Sequence, residues 1–295
     1  MTWENYFMPS TTGEVLALLE QHQGQARLVA GGTDLMVQHR WDPLEVKSLI
    51  DIGRVPALKE IREDHGRIYV GAAVTHSQLV DSALIQGKGR VLAEAARSVG
   101  SPQVRNVGTV GGNVVNAQPA ADTAIALVAL DALVHVSSPG KEREIPVAEI
   151  FLGPGKSSID PAKDLVTAFS FSAPDSRERT YFVRFARREA LALPLVNLGL
   201  WLQLEEDGHA LKDIRIAVGP MAVVPYRARK TEASLKGAVL NEEILKKAGH
   251  SISEEVTPRD SFRGSAAFKK RLIGVALKRG IERALDLKGV DRHER

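Results

Sequence analysis

There is no cysteine in this chain of 295 residues. That absence excludes disulfides, a thiolate nucleophile, a zinc ribbon and any cysteine-ligated iron–sulfur cluster held by the chain itself. Long apolar runs are missing too. The longest, from Ala124 to Leu130, stops at Asp131, far short of the ~20 residues a membrane-spanning helix needs. The N-terminus lacks the basic-then-apolar pattern of a signal peptide, so a cytoplasmic protein without a membrane span is expected. Nor is there an excess of one charge: 39 Lys and Arg face 36 Asp and Glu, a net charge of +3. The basic residues after Lys269 are spread through a helical pattern, which reads as a solvated helix face and predicts no nucleic-acid partner. The eight histidines show no metal-ligand spacing, so no metal site is expected. A Gly-x-Gly-x-x-Gly fingerprint and a P-loop are both absent, which argues against a doubly wound NAD domain and a nucleotide hydrolase.

What is present describes a globular chain, 44% hydrophobic and 25% charged, with length enough for two domains. An extended piece, Tyr6 to Pro9, precedes a helix. Its Thr11 and Glu14 have capping-box spacing, with Val15, Leu16, Leu18 and Leu19 on the buried face. Strands are expected at 27–30, 47–52, 67–72, 133–136 and 165–171, and helices over 84–99 and from Asp122 to about Asp131. Residues 100–116 are glycine-rich, keep no period of 2 or 3.6, and read as a long loop of the kind that is often functional. The pattern changes near residue 175. Beyond it strands are expected at 181–185, 196–204 and 214–218, with a turn at Glu206-Asp207-Gly208. Helices follow near 226–235, 241–248 and 265–285, the last with Phe268, Leu272, Ala276 and Ile281 toward one face. The expected class is α+β twice over: a larger domain over 1–175, then a smaller one over 176–295, an antiparallel sheet with helices beside it.

Two glycine clusters carry the chemical information. Ala30, Gly31, Gly32, Thr33, Asp34 and Leu35 directly follow a strand. The second cluster, Gly108, Thr109, Val110, Gly111, Gly112 and Asn113, lies about seventy-five residues on. Glycine allows tight turns and close backbone approach, so consecutive amides can point at one anion, and Thr109 adds a hydroxyl. Each alone is compatible with a plain turn; together they suit a ligand with a pyrophosphate and two ends. Asp34 also reads as the N-cap of a helix starting at Leu35. The cluster Arg184, Arg187 and Arg188 reads as a solvated strand end, with a docking face or an anionic-acceptor site as the alternative. Trp3, Trp41 and Trp201 read as core or interface residues.

The stretch from Leu28 to Leu35 and that from Arg105 to Asn113, followed by Pro119 to Asp122, closely resemble the two FAD motifs of the molybdenum hydroxylases. These are the medium, flavin-binding subunits of the xanthine dehydrogenase and carbon monoxide dehydrogenase family. The resemblance spans nearly the whole chain. Tyr6 to Pro9 is similar to the family's opening, Val70 to His76 to its middle strand and turn, Val218 to Arg229 to its second domain, and Asp260 to Lys269 to its final helix entry. It implies a two-lobed FAD-binding domain, with lobes over about 1–55 and 56–175 and the cofactor between them, then the small C-terminal domain. By this likeness Ala30 to Leu35 wrap the pyrophosphate and Thr109 to Asn113 hold it from the other side, with Val107 and Gly108 in the same cofactor-binding set. Asn113 and Asp122 would bond sugar or ribityl hydroxyls, and Ala72, Ala73 and Thr75 would lie near the flavin ring. Electrons would come from [2Fe-2S] clusters on a small iron–sulfur subunit, after leaving the substrate at the molybdenum cofactor of a large subunit. They would pass through FAD to an external acceptor. Substrate choice then belongs to the molybdenum subunit, and no residue of this chain need act as acid or base.

Two departures qualify the likeness. Hydroxybenzoyl-CoA reductases carry an extra cluster with its own cysteines in this subunit, and a chain without cysteine is not of that type. Where many members have a lysine near the flavin, this chain has Arg184, planar and permanently charged. His76 reads as a turn or surface histidine, with a place at the flavin edge as the alternative. A stand-alone flavin oxidoreductase and a non-catalytic nucleotide-binding module are the competing functions.

Overall fold

The computed structural model describes residues 3–285. The chain opens with β1 (Asn5–Phe7), α1 (Thr12–His22), β2 (Ala26–Val29), α2 (Leu35–Trp41) and β3 (Ser48–Asp51). The strands form a parallel sheet ordered β1-β3-β2. The glycines after Val29 therefore leave it at its carboxyl edge, where loops of parallel sheets meet ligands. Thr11 Oγ1 accepts from the Glu14 N–H at 3.2 Å, and the Glu14 carboxylate accepts from the Ser10 N–H at 2.7 Å. The capping box is thus closed one residue early. Val15 and Leu19 are fully buried, whereas Leu16 and Leu18 are only partly so.

Next come β4 (Ile61–Asp64), β5 (Arg67–Gly71), α3 (His76–Asp81), α4 (Ala83–Lys88), α5 (Arg90–Ser98), α6 (Pro102–Val107), α7 (Val110–Val115) and α8 (Asp122–Ala129). After them run β6 (Leu133–Ser138), β7 (Lys141–Pro146), β8 (Phe151–Gly153), β9 (Lys156–Ser157) and β10 (Leu165–Ser172). Five of these strands make an antiparallel sheet ordered β4-β5-β10-β6-β7, and β8 pairs with β9 in a small hairpin. Central β10 buries Phe169 and Phe171 completely. The edge strands carry the charges, Arg62, Glu63 and Asp64 on β4 and Lys141 to Glu144 on β7, which blunts them against pairing with another chain.

Two expectations are corrected in this region. The single helix over 84–99 is two helices, broken at Gly89, where a side chain would come within 3.1 Å of the Phe171 ring. Residues 100–116 are not a loop but hold α6 and α7. Each has six residues, too short to leave a period. Their caps were legible: Ser101 with Pro102 behind it, and Thr109 accepting from the Gly112 N–H at 3.1 Å, the usual start signals of a helix.

The rest of the chain is β11 (Glu178–Phe185), β12 (Val196–Leu204), β13 (Leu211–Gly219), β14 (Tyr226–Arg227), α9 (Arg229–Leu235), α10 (Glu242–Glu255) and α11 (Ala266–Ala284). The strands pair antiparallel in the order β11-β12-β13-β14. The helix expected from Tyr226 begins only at Arg229, because Tyr226 and Arg227 pair with β13. Strand side chains alternate between faces, and β12 shows why that matters. Gly199 turns toward α8, where a side chain would stand 3.1 Å from the Ala129 Cβ; Leu198 and Leu200 turn toward Gly280 of α11. With both faces covered, the strand is buried without interruption from Val196 to Leu202. All eight residues of α8 are buried, the polar Asp122 and Thr123 at its start as well as the apolar run from Ala124 to Ala129. The buried face of α11 runs through Lys269, Ile273, Ala276, Leu277, Gly280 and Ile281. Phe268, expected there, is 43% exposed. Among the described residues no helix is long and apolar enough to cross a membrane.

This burial predicts unequal phenylalanines. Phe169→Ala should lower the unfolding free energy by about 3–5 kcal/mol, and Phe268→Ala by less than about 1 kcal/mol, both read from urea denaturation.

Candidate functional site

Three backbone segments are drawn together beside the carboxyl edge of the parallel sheet. Residues 72–76 and 108–111 pair like strands: the His76 N–H donates to the Gly108 carbonyl at 3.0 Å, Val110 N–H to Val74 at 3.0 Å, and Gly111 N–H to Ala72 at 2.9 Å. Residues 30–35 lie against this pair. A side chain at Gly31 would overlap the carbonyl oxygen of Val107, and one at Gly111 would come within 2.6 Å of the Ala72 carbonyl. Gly32 has φ +68°, a left-handed conformation that disfavours any side chain.

A cavity of about 560 Å³ opens where the segments meet, inside the usual range for small-molecule sites of about 300–1,000 Å³. Of the residues expected at the site, Ala30, Gly31, Gly32, Thr33, Asp34, Leu35, Ala72, Gly108, Thr109, Gly111, Gly112 and Asn113 line it. Five others stand back. Ala73 packs in the small core with Val15 and Leu58. Thr75 caps α3, accepting from the Gln78 N–H at 3.2 Å while the Gln78 side chain accepts from the Thr75 N–H at 2.8 Å. The side chain of Val107 turns outward and is 50% exposed. Asp122 accepts from the Asn197 amide at 2.6 Å and lies 3.4 Å from Arg184 Nε. Burial pushes its carboxyl up, with Arg184 and Asn197 pulling the other way. Arg184 also donates to the Ala192 carbonyl and is only 12% exposed. It is therefore no solvated strand end, and it ties α8 to β11.

Other wall residues were not among those expected at the site. Leu28, Ile52, Ile159, Leu165 and Val166 supply an apolar lining. Asp164 also lines the cavity. Burial works to raise its carboxyl, but bonds from Ser138 at 2.6 Å, the Asp160 N–H at 2.9 Å and Arg143 at 2.7 Å outweigh burial and hold it below the usual range. Asp34 stands at the N-cap position of α2, as expected, but its side chain makes no cap bond. Partial loss of hydration pushes its carboxyl up. The expectation for His76 is corrected: it is 2% exposed and lines the cavity. Burial, with Arg105 nearby, pushes its imidazole down to about 4.

Comparison with known proteins decides the family. The model of the FAD binding domain in molybdopterin dehydrogenase matches residues 2–173, and that of the CO dehydrogenase flavoprotein C-terminal domain matches residues 181–284. The chain belongs to the FAD-binding family of the molybdopterin dehydrogenases. It is 31% identical over 287 residues to the xanthine dehydrogenase FAD-binding subunit of Escherichia coli O157:H7, covering 97% of each chain. With the carbon monoxide dehydrogenase medium chain of Hydrogenophaga pseudoflava it shares 28% identity, over 95% of this chain and 96% of that one. A solved carbon monoxide dehydrogenase from the same organism, lacking the Mo-pyranopterin moiety, superposes with a TM-score of 0.90 at 27% identity, over 97% of this chain and 98% of the other.

The residues present fit the family's FAD. A pyrophosphate needs converging donors, and among the described residues the N–H groups of Gly31, Gly32, Thr33 and Asp34 donate to no protein acceptor. Glycines 31 and 111 let the segments pack backbone against backbone, which brings both to the cavity wall. The rings need apolar walls, and the cavity has them.

The buried histidine sets a pH dependence. Its pKa is lower folded than unfolded, so its contribution to stability is full above about 6.5 and is lost as pH falls toward about 4. Burial of the neutral ring should thus make the cofactor-free chain less stable by on the order of 3 kcal/mol across that window. Thermal melts of His76→Phe should lose that part of the pH dependence; an unchanged profile would contradict the assignment.

Proposed function

We propose that this chain is the FAD-carrying subunit of a molybdenum-containing hydroxylase, receiving electrons from iron–sulfur clusters on one partner and passing them to an external acceptor. The observation that carries the proposal is the run of unpartnered N–H groups from Gly31 to Asp34, set against the second glycine segment in a cavity of flavin-binding size. Bound FAD would supply the redox chemistry that no side chain here has. The protein's part is to hold and orient it. Ala30 to Leu35 would take the pyrophosphate from one side and Val107 to Asn113 from the other. Ala72 would form the wall near the flavin ring, with Ala73 and Thr75 holding that segment from behind. Asp122 and Arg184, fixed to each other, would keep α8 and β11 in place at that end. A division near residue 175, with the cofactor between two lobes of the first part, belongs to the same proposal.

The relatives are chains of multi-subunit dehydrogenases, which supports partners for this one. The finer assignment is a small subunit carrying [2Fe-2S] clusters and a large one carrying the molybdenum cofactor, together in the cytoplasm. Exposed apolar side chains give such partners something to cover: Met36, Val37 and Trp41 on α2, and Leu191, Leu193 and Phe262 near the end of β11 and the start of α11.

Reconstitution tests the proposal. The purified chain, with its partner subunits, should take up one FAD and show a flavin spectrum. Gly31→Val and Gly111→Val should abolish retention while far-ultraviolet circular dichroism stays near that of the wild type, because each drives a branched side chain into backbone across the cradle. Retention of FAD by either variant would overturn the placement of the pyrophosphate.

A further inference from the structure

A buried histidine, His76, stands in the cavity wall. His76 is the first residue of α3, fixed by the Thr75 cap and by its own N–H bond to Gly108. Its Nδ1 is buried without a hydrogen-bond partner. A side chain built on Gly108 would meet His76 Cδ2 at 3.4 Å and Thr33 Oγ1 at 3.5 Å. The imidazole and the Thr33 hydroxyl therefore flank the same glycine, at the point where the two glycine segments touch. Thr33 belongs to the segment 31–34, whose N–H groups have no protein acceptor among the described residues. His76 lines the cavity, and with Nδ1 enclosed the ring nitrogen a ligand there can reach is Nε2, which has no protein partner among the described residues.

Resting on the assignment of the cavity to FAD, we propose that His76 is a positioning residue for the cofactor's pyrophosphate, its imidazole donating a hydrogen bond to a phosphate oxygen. The neutral ring suits this task. It carries one N–H, which can turn to the phosphate without a buried cation being added near the half-buried Arg105. The pyrophosphate is favoured over the flavin ring because Thr33 and Gly108, the neighbours of His76, belong to the two segments that make the cradle. The Thr75 cap orients the ring: with its backbone locked at the helix start, the imidazole is held against the cavity wall.

Binding of FAD and of ADP to the full chain with its partner subunits tests this. His76→Phe keeps a ring and removes both nitrogens, and it should weaken FAD and ADP alike by about tenfold or more. His76→Gln and His76→Asn, which return an amide donor near one or other nitrogen position, should bring at least one affinity back to within about threefold of wild type. In nitrogen-15 spectra the His76 ring signals should shift when ADP is added. Wild-type affinity in His76→Phe would overturn the proposal. So would equal loss in all three variants, the mark of a packing role, or ring signals that ADP leaves unmoved. A wild-type protein that binds neither FAD nor ADP would instead overturn the assignment of the cavity.

Discussion

The structure depends on one close approach, that of backbone to backbone where the two glycine segments meet. Gly31 lies so near the Val107 carbonyl, and Gly111 so near the Ala72 carbonyl, that neither position has room for even a methyl group. Glycine is destabilising wherever the chain could have used alanine. Here it buries no side chain and leaves four N–H groups, from Gly31 to Asp34, without a protein acceptor. Consecutive donors at the wall of a cavity can point at one anion.

The surrounding elements hold that contact in place. The parallel sheet β1-β3-β2 delivers the first glycine segment at its carboxyl edge. The strand-like pairing of residues 72–76 with 108–111 delivers the second. Behind them α8, buried on every side, stands against both α5 and the C-terminal sheet, and its first residue, Asp122, is bonded to Asn197 of β12 and lies beside Arg184 of β11. The C-terminal sheet thus supports the cavity without supplying its wall. A change in β12 reaches the cradle through α8, through α5 and through the Ala120 carbonyl, to which Asn197 donates.

Much of this was legible in the residues, and the exceptions have physical causes. The parallel strand ending at Val29, the amphipathic α1, the central β10 and the three long strands after residue 178 all carry period or β-branched composition strong enough to read. The glycine clusters announced a cradle because their residue types are chemically specific. The region 100–116 failed as a loop because six-residue helices show caps but no period. Phe268 failed as a core residue because i, i+4 spacing from it follows one stripe of α11, and the face that packs is rotated toward Lys269 and Ile273. Long-range burial could not be read at all. Nothing local marks His76 as an interior residue, Asp164 as part of the cavity wall, or Arg184 as the partner of Asp122, since each depends on segments more than twenty residues away in the chain.

The central claim is that the two glycine segments jointly grip one pyrophosphate. A crystal structure of the chain with FAD tests it most directly. Phosphate oxygens should lie within hydrogen-bonding distance of N–H groups between Gly31 and Asp34 on one side and of the Thr109–Asn113 segment on the other. A bound FAD whose pyrophosphate lies away from either segment would contradict it.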